Sequence, residues 1–394
     1  MMWTLFLFLL VNQVNGHPTD GLAQTLKEEF DSTLNTTLWN YGYPWGTYYN
    51  NRANMVPRQV KIIEQKVELK ATAERSINVG ISNEYGTFDV DFSSGTINTN
   101  GKFCYTNGYI ELLTRVSSVP SSWSTIFLVA QDQTLPEITV MEVFDNHKRF
   151  AYGIHYTSEE GNAQVMGGRS GEYNDNLGSD FHRYGVDFGY DQITWYFDDQ
   201  IVNSFTIPKE LEQVKDMCLV VSLGVGGKSQ TRPDPKTYPL TMTIDSVQVW
   251  QPKYDGFYKF INVNSNLLLE IDGASHDNSA RVLQWHDNGG AWQIWHVQYA
   301  GNGQYRLIVS HSRQALDAFD WGQDDGTNLI QFPYHVGNNQ LWKVHENDDG
   351  TITLINVHAN KVAGLAGAST NPGDQVSLWT SNGQPDQKWK MVQV

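Results

Sequence analysis

The sequence predicts an all-β protein in two parts, a two-sheet β-sandwich followed by a domain of three repeats. Three observations predict it. Between Phe30 and Gln251 the chain runs as short alternating apolar and polar stretches punctuated by Gly, Asn and Ser, with no long segment of helical period. Further on, Gln293-Ile294-Trp295, Gln340-Leu341-Trp342 and Gln387-Lys388-Trp389 recur 47 residues apart, as internal repeats do. A length of 394 residues at 40% apolar composition also exceeds the roughly 250–300 residues that one core supports.

Taken in order, residues 1–16 read as a secretory signal. Trp3 to Val11 is an apolar run too short to span a bilayer, followed by Val14-Asn15-Gly16 with a small residue at the cut, although no Lys or Arg precedes the run. The expectation is a secreted, extracellular protein, and no other stretch is long and apolar enough for a membrane helix. Asn35-Thr36-Thr37 is a glycosylation sequon, usable in a eukaryotic host. A net charge of −16 with 27 Lys and Arg argues against nucleic-acid partners, which require clustered cations, and equally fits a plain acidic secreted protein. Thirteen Trp and nineteen Tyr favour sugar stacking, and the chain is expected to be monomeric.

Within the first part, Val60–Ile63, Val67–Lys70, Ala151–Tyr156 and Thr241–Ile244 read as strands. Cys104 and Cys218 fall in two further predicted strands and form either one disulfide or two separately buried thiols. Neither they nor the scattered His residues have zinc-ligand spacing. The informative strand is Pro136-Glu137-Ile138-Thr139-Val140-Met141-Glu142-Val143-Phe144. Strict alternation puts Glu137 and Thr139 on one face and Glu142 on the other. One bulged residue, placed at Met141, brings Glu142 back beside Glu137. Two carboxyls about 5–5.5 Å apart on one concave face are the apparatus of a retaining glycosidase. On its own the pair also reads as a solvated sheet face, since two Glu five positions apart are common.

The surrounding segments decide between these. The string resembles the Glu-x-Asp-x-x-Glu signature of glycoside hydrolase family 16 in its bulged, laminarinase-like form. Gly108-Tyr109-Ile110-Glu111, Trp123-Ser124-Thr125-Ile126-Phe127-Leu128, the run from Phe181 to Phe188, Ile193-Thr194-Trp195-Tyr196-Phe197-Asp198, the run from Met217 to Gly227 and Ile244-Asp245-Ser246-Val247-Gln248-Val249-Trp250 resemble that family's other segments in the same order. The resemblance implies a jelly roll of two bent antiparallel sheets, with Glu137 as nucleophile, Glu142 as acid and then base, and Trp123, His155 and Trp45 as sugar contacts. It also places Asp245 where some members hold a structural calcium; no other cofactor is implied. Two positions depart from the pattern. Thr139 stands where the family has an Asp that helps keep the two ionisations apart, and Phe127 stands where it usually has Trp.

Gln251 closes the first domain (residues 17–251), and residues 252–256 read as a short linker. The three Gln-x-Trp repeats in residues 257–394 resemble the ricin-B-type β-trefoil lectin, in which those Gln and Trp side chains build the shared core. In that family an active lobe uses a carboxylate, a stacking aromatic and an Asn before the Gln. The middle repeat has all three in Asp317, Phe332 and Asn339; the first has Glu270 (or Asp272 in another register) and Trp285 but Trp292 in place of the Asn; the third has Gly364 at the carboxylate position and reads as a dead pocket. All three lobes as a degenerate spacer is the competing reading of the trefoil.

Together these readings give a secreted endo-acting retaining β-glycosidase with a sugar-binding module, acting on β-1,3-glucan first and on galactans as the alternative, by hydrolysis or transfer. A catalytically silent glycan-binding protein is the reading from another class, motivated by Thr139 and Phe127 and opposed by the presence of both Glu.

Overall fold

The structure, a computed structural model, describes residues 19, 21–49, 51–82, 86–131, 135–145, 147–208, 211, 216–226 and 232–394. The expected signal, residues 1–16, lies outside them. Residues Leu22–Pro252 build two antiparallel sheets, each of eight strands. One has the order Gln200–Thr206, Gln192–Phe197, His182–Phe188, Gly108–Arg115, Leu240–Pro252, Lys66–Ala71, Val60–Ile63, with Leu22–Glu28 also paired to Leu240–Pro252. The other runs Ala163–Arg169, Ala151–Thr157, Glu137–Val143, Ser122–Ala130, Met217–Val225, Thr96–Asn98, Asn40–Tyr41, with Cys104–Tyr105 beside Met217–Val225.

Alternation in sequence becomes layering in space. Ile110, Leu112, Val186, Val247 and Val249 from the first sheet meet Ile126, Leu128, Val140, Ile154, Leu219 and Val221 from the second in one buried cluster. Ser122–Ala130 and Met217–Val225 are buried along their whole length, because their second face forms a cleft floor rather than an open surface. Cys104 and Cys218 lie directly opposite each other in neighbouring strands and form a disulfide, which decides between the two alternatives left open by the sequence.

The C-terminal part, Gly256–Gln393, forms a twelve-stranded sheet system with threefold internal repetition. Trp295, Trp342 and Trp389 are fully buried, and each indole donates to a backbone carbonyl 26 residues earlier, on Leu269, Leu316 and Ala363, at 3.1 Å in all three cases. Gln293, Gln340 and Gln387 donate to the carbonyls of His286, Pro333 and Thr380. The Gln-x-Trp repeat is therefore structural: each tryptophan fills the core while its one polar atom is satisfied.

The two parts are joined by a buried polar seam. The amides of Tyr190 and Asp191 donate to the carbonyls of Tyr299 and Ala300, pairing backbone across the boundary. Gly189 sits so close that a Cβ there would lie 2.4 Å from the Ala300 carbonyl carbon. Asp187, 1% exposed, accepts from the Tyr299 hydroxyl and the Asn302 amide, and Arg306 forms an ion pair of 2.8 Å with buried Asp191. Tyr109, Tyr196 and Leu22 of the sandwich pack within the trefoil's apolar cluster. The segment read as a linker is itself tied down, with Lys253 and Tyr254 both bonded to Glu346.

Burial pushes the Asp187 carboxyl up to about 7, against the lowering effect of its two donors. Below about pH 4 it is protonated in folded and unfolded chains alike. As the pH rises further only the unfolded chain ionises, so this group's contribution to stability falls until the folded carboxyl also ionises near 7. Thermal midpoints measured from pH 4 to 8 should fall less steeply for Asp187→Asn than for the parent; parallel curves would contradict the seam's electrostatics.

Candidate active site

The cleft lies on the outer face of the second sheet. It holds about 410 Å³ and is lined by Tyr43, Tyr49, Trp123, Thr125, Phe127, Leu135, Glu137, Thr139, Glu142, His155, Ser222 and Gly224. Its central strand, Glu137–Val143, starts just after Pro136, whose carbonyl accepts from the Ala130 amide. Against Ser122–Ala130, Thr139 pairs with Phe127 and Met141 with Ile126, so Val140 is passed over. Against Ala151–Thr157, Thr139 pairs with Gly153 and Glu142 with Ala151. The bulge thus spans Val140 and Met141, and the residue skipped on the Ser122–Ala130 side is Val140, one position from the expected Met141. Both bulge side chains are buried in the core, and Glu142 joins Glu137 and Thr139 in the cleft lining.

A bulge leaves ladder groups without strand partners. Here the Thr139 carbonyl receives the indole N–H of Trp195 at 2.9 Å, from a fully buried side chain on the opposite sheet. The acidic pair is then dressed by two donors. Thr139 Oγ1 donates to Glu137 Oε1 at 3.1 Å, and Trp123 Nε1 donates to Glu142 Oε1 at 2.6 Å. His155 stands directly across the ladder from Glu137. Behind the carboxylates, Tyr43 and Thr96 both bond the Ser222 hydroxyl, at 2.7 and 2.8 Å. Burial pushes the Tyr49 hydroxyl up to about 12, with the charges of Glu137 and Glu142 adding to it.

Trp123 and His155, read from sequence as sugar contacts, line the cleft, and Trp123 does so as a hydrogen-bond donor to Glu142. Trp45 stands behind the lining, stacked on Tyr43 at 5.5 Å and near Phe127 at 6.5 Å. Sequence reasoning missed Tyr43, Tyr49 and Ser222. The two tyrosines flank Trp45 in an aromatic-rich run, which was the only signal available. Asp245 lies within a strand and pairs with Lys66 Nζ at 2.9 Å. No group of three or more His, Cys, Asp or Glu side chains suited to a metal occurs among the described residues. An ammonium already on the carboxylate does not fit the calcium expectation.

The trefoil lobes differ as their sequences do. In lobe two, Asn339 Nδ2 donates to Asp317 Oδ1 at 3.1 Å, and burial pushes the Asp317 carboxyl up to about 6. His335 Nε2 lies 3.8 Å from Asp317 Oδ2, and the Phe332 ring lies 6.3 Å from that imidazole. In lobe one, Glu270 accepts from Gln293 at 2.6 Å and burial raises its carboxyl, with Trp285 exposed nearby. In lobe three, Gly364 supplies no carboxylate, and the Trp379 ring lies 3.4 Å from where its Cβ would be.

The family model described as glycosyl hydrolases family 16 matches residues 49–247, and the one described as ricin-type beta-trefoil lectin domain-like matches residues 246–332 and 338–394. The endo-1,3-1,4-beta-glycanase EglC of Rhizobium meliloti is 27% identical over 161 residues, 41% of this chain and 34% of that protein. The glucan endo-1,3-beta-glucosidase A1 of Niallia circulans is 25% identical over 275 residues, 60% of this chain and 39% of that protein. The chain thus spans only a third to two fifths of these relatives' lengths. The laminarinase catalytic domain of Thermotoga maritima superposes with a TM-score of 0.50 at 19% identity, covering 60% of this chain and all of that domain, a likeness of fold.

The Trp195 contact makes a checkable demand. Trp195→Phe removes the indole donor from the buried Thr139 carbonyl, and leaving such an acceptor without its donor costs about 1–3 kcal/mol. Denaturant unfolding should show a loss of at least that size; a change near zero would mean the bulge is held by other means.

Proposed function

This chain belongs to glycosyl hydrolase family 16, and we propose that its cleft cleaves internal β-glycosidic bonds with retention of configuration. The observation that carries the reading is the bulge at Val140–Met141, which puts Glu137, Thr139 and Glu142 on one wall of a cleft sized for a sugar chain. β-1,3-Glucan is the substrate the reading favours, in keeping with the names of the relatives that the first domain resembles.

The mechanism assigns each carboxylate oxygen a role. Indole N–H is a donor only, so with Trp123 on Oε1 of Glu142 the proton to be delivered sits on Oε2. Thr139 likewise donates to Oε1 of Glu137, the nucleophile. In the first step a carboxylate oxygen of Glu137 bonds the anomeric carbon while the glycosidic C–O bond breaks, and the departing oxygen takes the Glu142 proton. In the second step the Glu142 carboxylate takes a proton from water, whose oxygen displaces Glu137 at the same carbon. A sugar hydroxyl arriving in place of water gives transfer. Tyr43, Tyr49 and Phe127 supply aromatic surface along the path. The Thr139 hydroxyl gives Glu137 a neutral donor where the family has a third carboxylate, so the pH profile lacks that group's ionisation.

The trefoil adds sugar recognition through lobe two, where Asp317 and Asn339 offer fixed polar partners beside Phe332. The seam to the sandwich fixes this pocket relative to the cleft, so it presents polymer in one geometry rather than on a loose tether. Secretion is part of the proposal, motivated by the apolar run Trp3 to Val11, and suits a polymeric substrate.

Reducing-sugar release from laminarin and from galactans tests the reading. Release by the parent should fall at least a thousandfold in Glu137→Gln. Trp123→Phe should keep the fold but lower kcat, since the Glu142 carboxyl loses the indole N–H that positions it. Background release from every polymer by the parent would favour the non-catalytic reading that Thr139 motivates. A second expectation concerns lobe two: an ionised carboxylate accepts sugar hydroxyl bonds on both oxygens and more strongly than the neutral acid, so glycan binding should strengthen as the pH rises through about 6 and should lose that dependence in Asp317→Asn.

A further inference from the structure

The three trefoil lobes share a backbone but not the side chains at their rims. Ala274, Trp321 and Ala368 occupy equivalent positions, all with left-handed backbone at φ 52°, 56° and 52°. Asn288, His335 and Asn382 form a second equivalent set, and Asp272, Phe319 and Ala366 a third. Only lobe two is aromatic at all three. Trp321 is 47% exposed and Phe319 50%. A tryptophan held half in water at a left-handed position contributes little burial, and the alanines of the other lobes take the same turn without it, so folding does not explain it.

The exposed rings are ordered rather than scattered. Trp321 lies 5.8 Å from His335 and 5.1 Å from His358, the latter edge-on at 89°. His335 connects this wall to the pocket, with the Phe332 ring at 6.3 Å and the Asp317 carboxylate at 3.8 Å from Nε2. Gly337 permits the arrangement, since a Cβ there would lie 2.4 Å from the His335 ring. Asn339, beneath it, spends its amide N–H on Asp317 while its own side-chain oxygen has no hydrogen-bond partner among the described residues. Lobe two thus presents two stacking surfaces, Phe332 and Trp321, separated by one imidazole that borders the buried carboxylate.

We propose that lobe two is an extended site taking at least two consecutive rings of an oligosaccharide. One ring is held by Asp317 against Phe332, and the next lies across Trp321. Sugar rings offer apolar C–H faces that stack on indole while their hydroxyls reach fixed polar groups. Lobe one, with Trp285 but with Ala274 and Asn288 at its rim, takes a single ring. The proposal rests on reading lobe two as a sugar pocket and adds that the ligand is a chain rather than a terminal residue.

The test uses the full chain carrying Glu137→Gln, so that the probe is not consumed, on a printed array of mono- to hexasaccharides from the β-glucan, galactan and N-acetylhexosamine series. The signal lost on adding Asp317→Ala defines the lobe-two component. Trp321→Ala should reduce that component at least tenfold on oligosaccharides and leave it unchanged on monosaccharides, and Trp321→Phe should restore most of it. A Trp321→Ala protein that keeps its full oligosaccharide component overturns the extension and leaves the pocket standing. Equal signals from the parent and Asp317→Ala on every spot overturn the pocket reading and the extension with it.

Discussion

One buried hydrogen bond organises the cleft: the indole of Trp195, reaching across the sandwich core, meets the carbonyl of Thr139 at the edge of a bulge. In a regular strand Glu142 would face the core, where an unpaired carboxylate is prohibitively costly. The bulge at Val140–Met141 turns two apolar side chains into the core and returns Glu142 to the cleft. The backbone irregularity that this requires is tolerable because the opposite sheet supplies a donor. Core packing and cleft chemistry are thus consequences of the same extra residue.

A second constraint governs the whole molecule. Asp187 and Asp191 sit on and just after a sandwich strand, yet their partners Tyr299, Asn302 and Arg306 belong to the trefoil. Breaking the seam would leave buried charges unpaired, which is more costly than forming the pair is favourable. The two parts therefore behave as one body, and the lobe-two pocket keeps a set position relative to the cleft. A module on a flexible linker would sample many.

Much of this was legible in the sequence, for identifiable reasons. Gln293, Gln340 and Gln387, each followed two residues later by Trp, declared the trefoil because a threefold core repeats its own residues. Glu137, Thr139 and Glu142 were legible as one wall because period-two alternation with one insertion is simple arithmetic, although which residue is skipped depends on both neighbouring strands. Contacts between distant segments were not legible. Ser222 and Tyr43 meet across 179 residues, and Asp187 and Tyr299 across 112. Trp45 carried a strong aromatic signal, but sequence cannot distinguish a ring lining a cleft from one stacked behind it. The disulfide likewise depended on the register of Cys104 against Cys218.

In the proposed reaction one carboxylate attacks the sugar while its neighbour delivers a proton from the same wall. The most direct measurement is the anomeric configuration of the first product, followed by proton NMR during cleavage of laminarin before mutarotation sets in. Double displacement gives the β-anomer first, with the α-anomer growing in only at the rate of spontaneous equilibration. An α-anomer formed first would mean that water attacks directly and Glu137 is not the nucleophile. No product from laminarin would contradict the β-1,3-glucanase assignment itself.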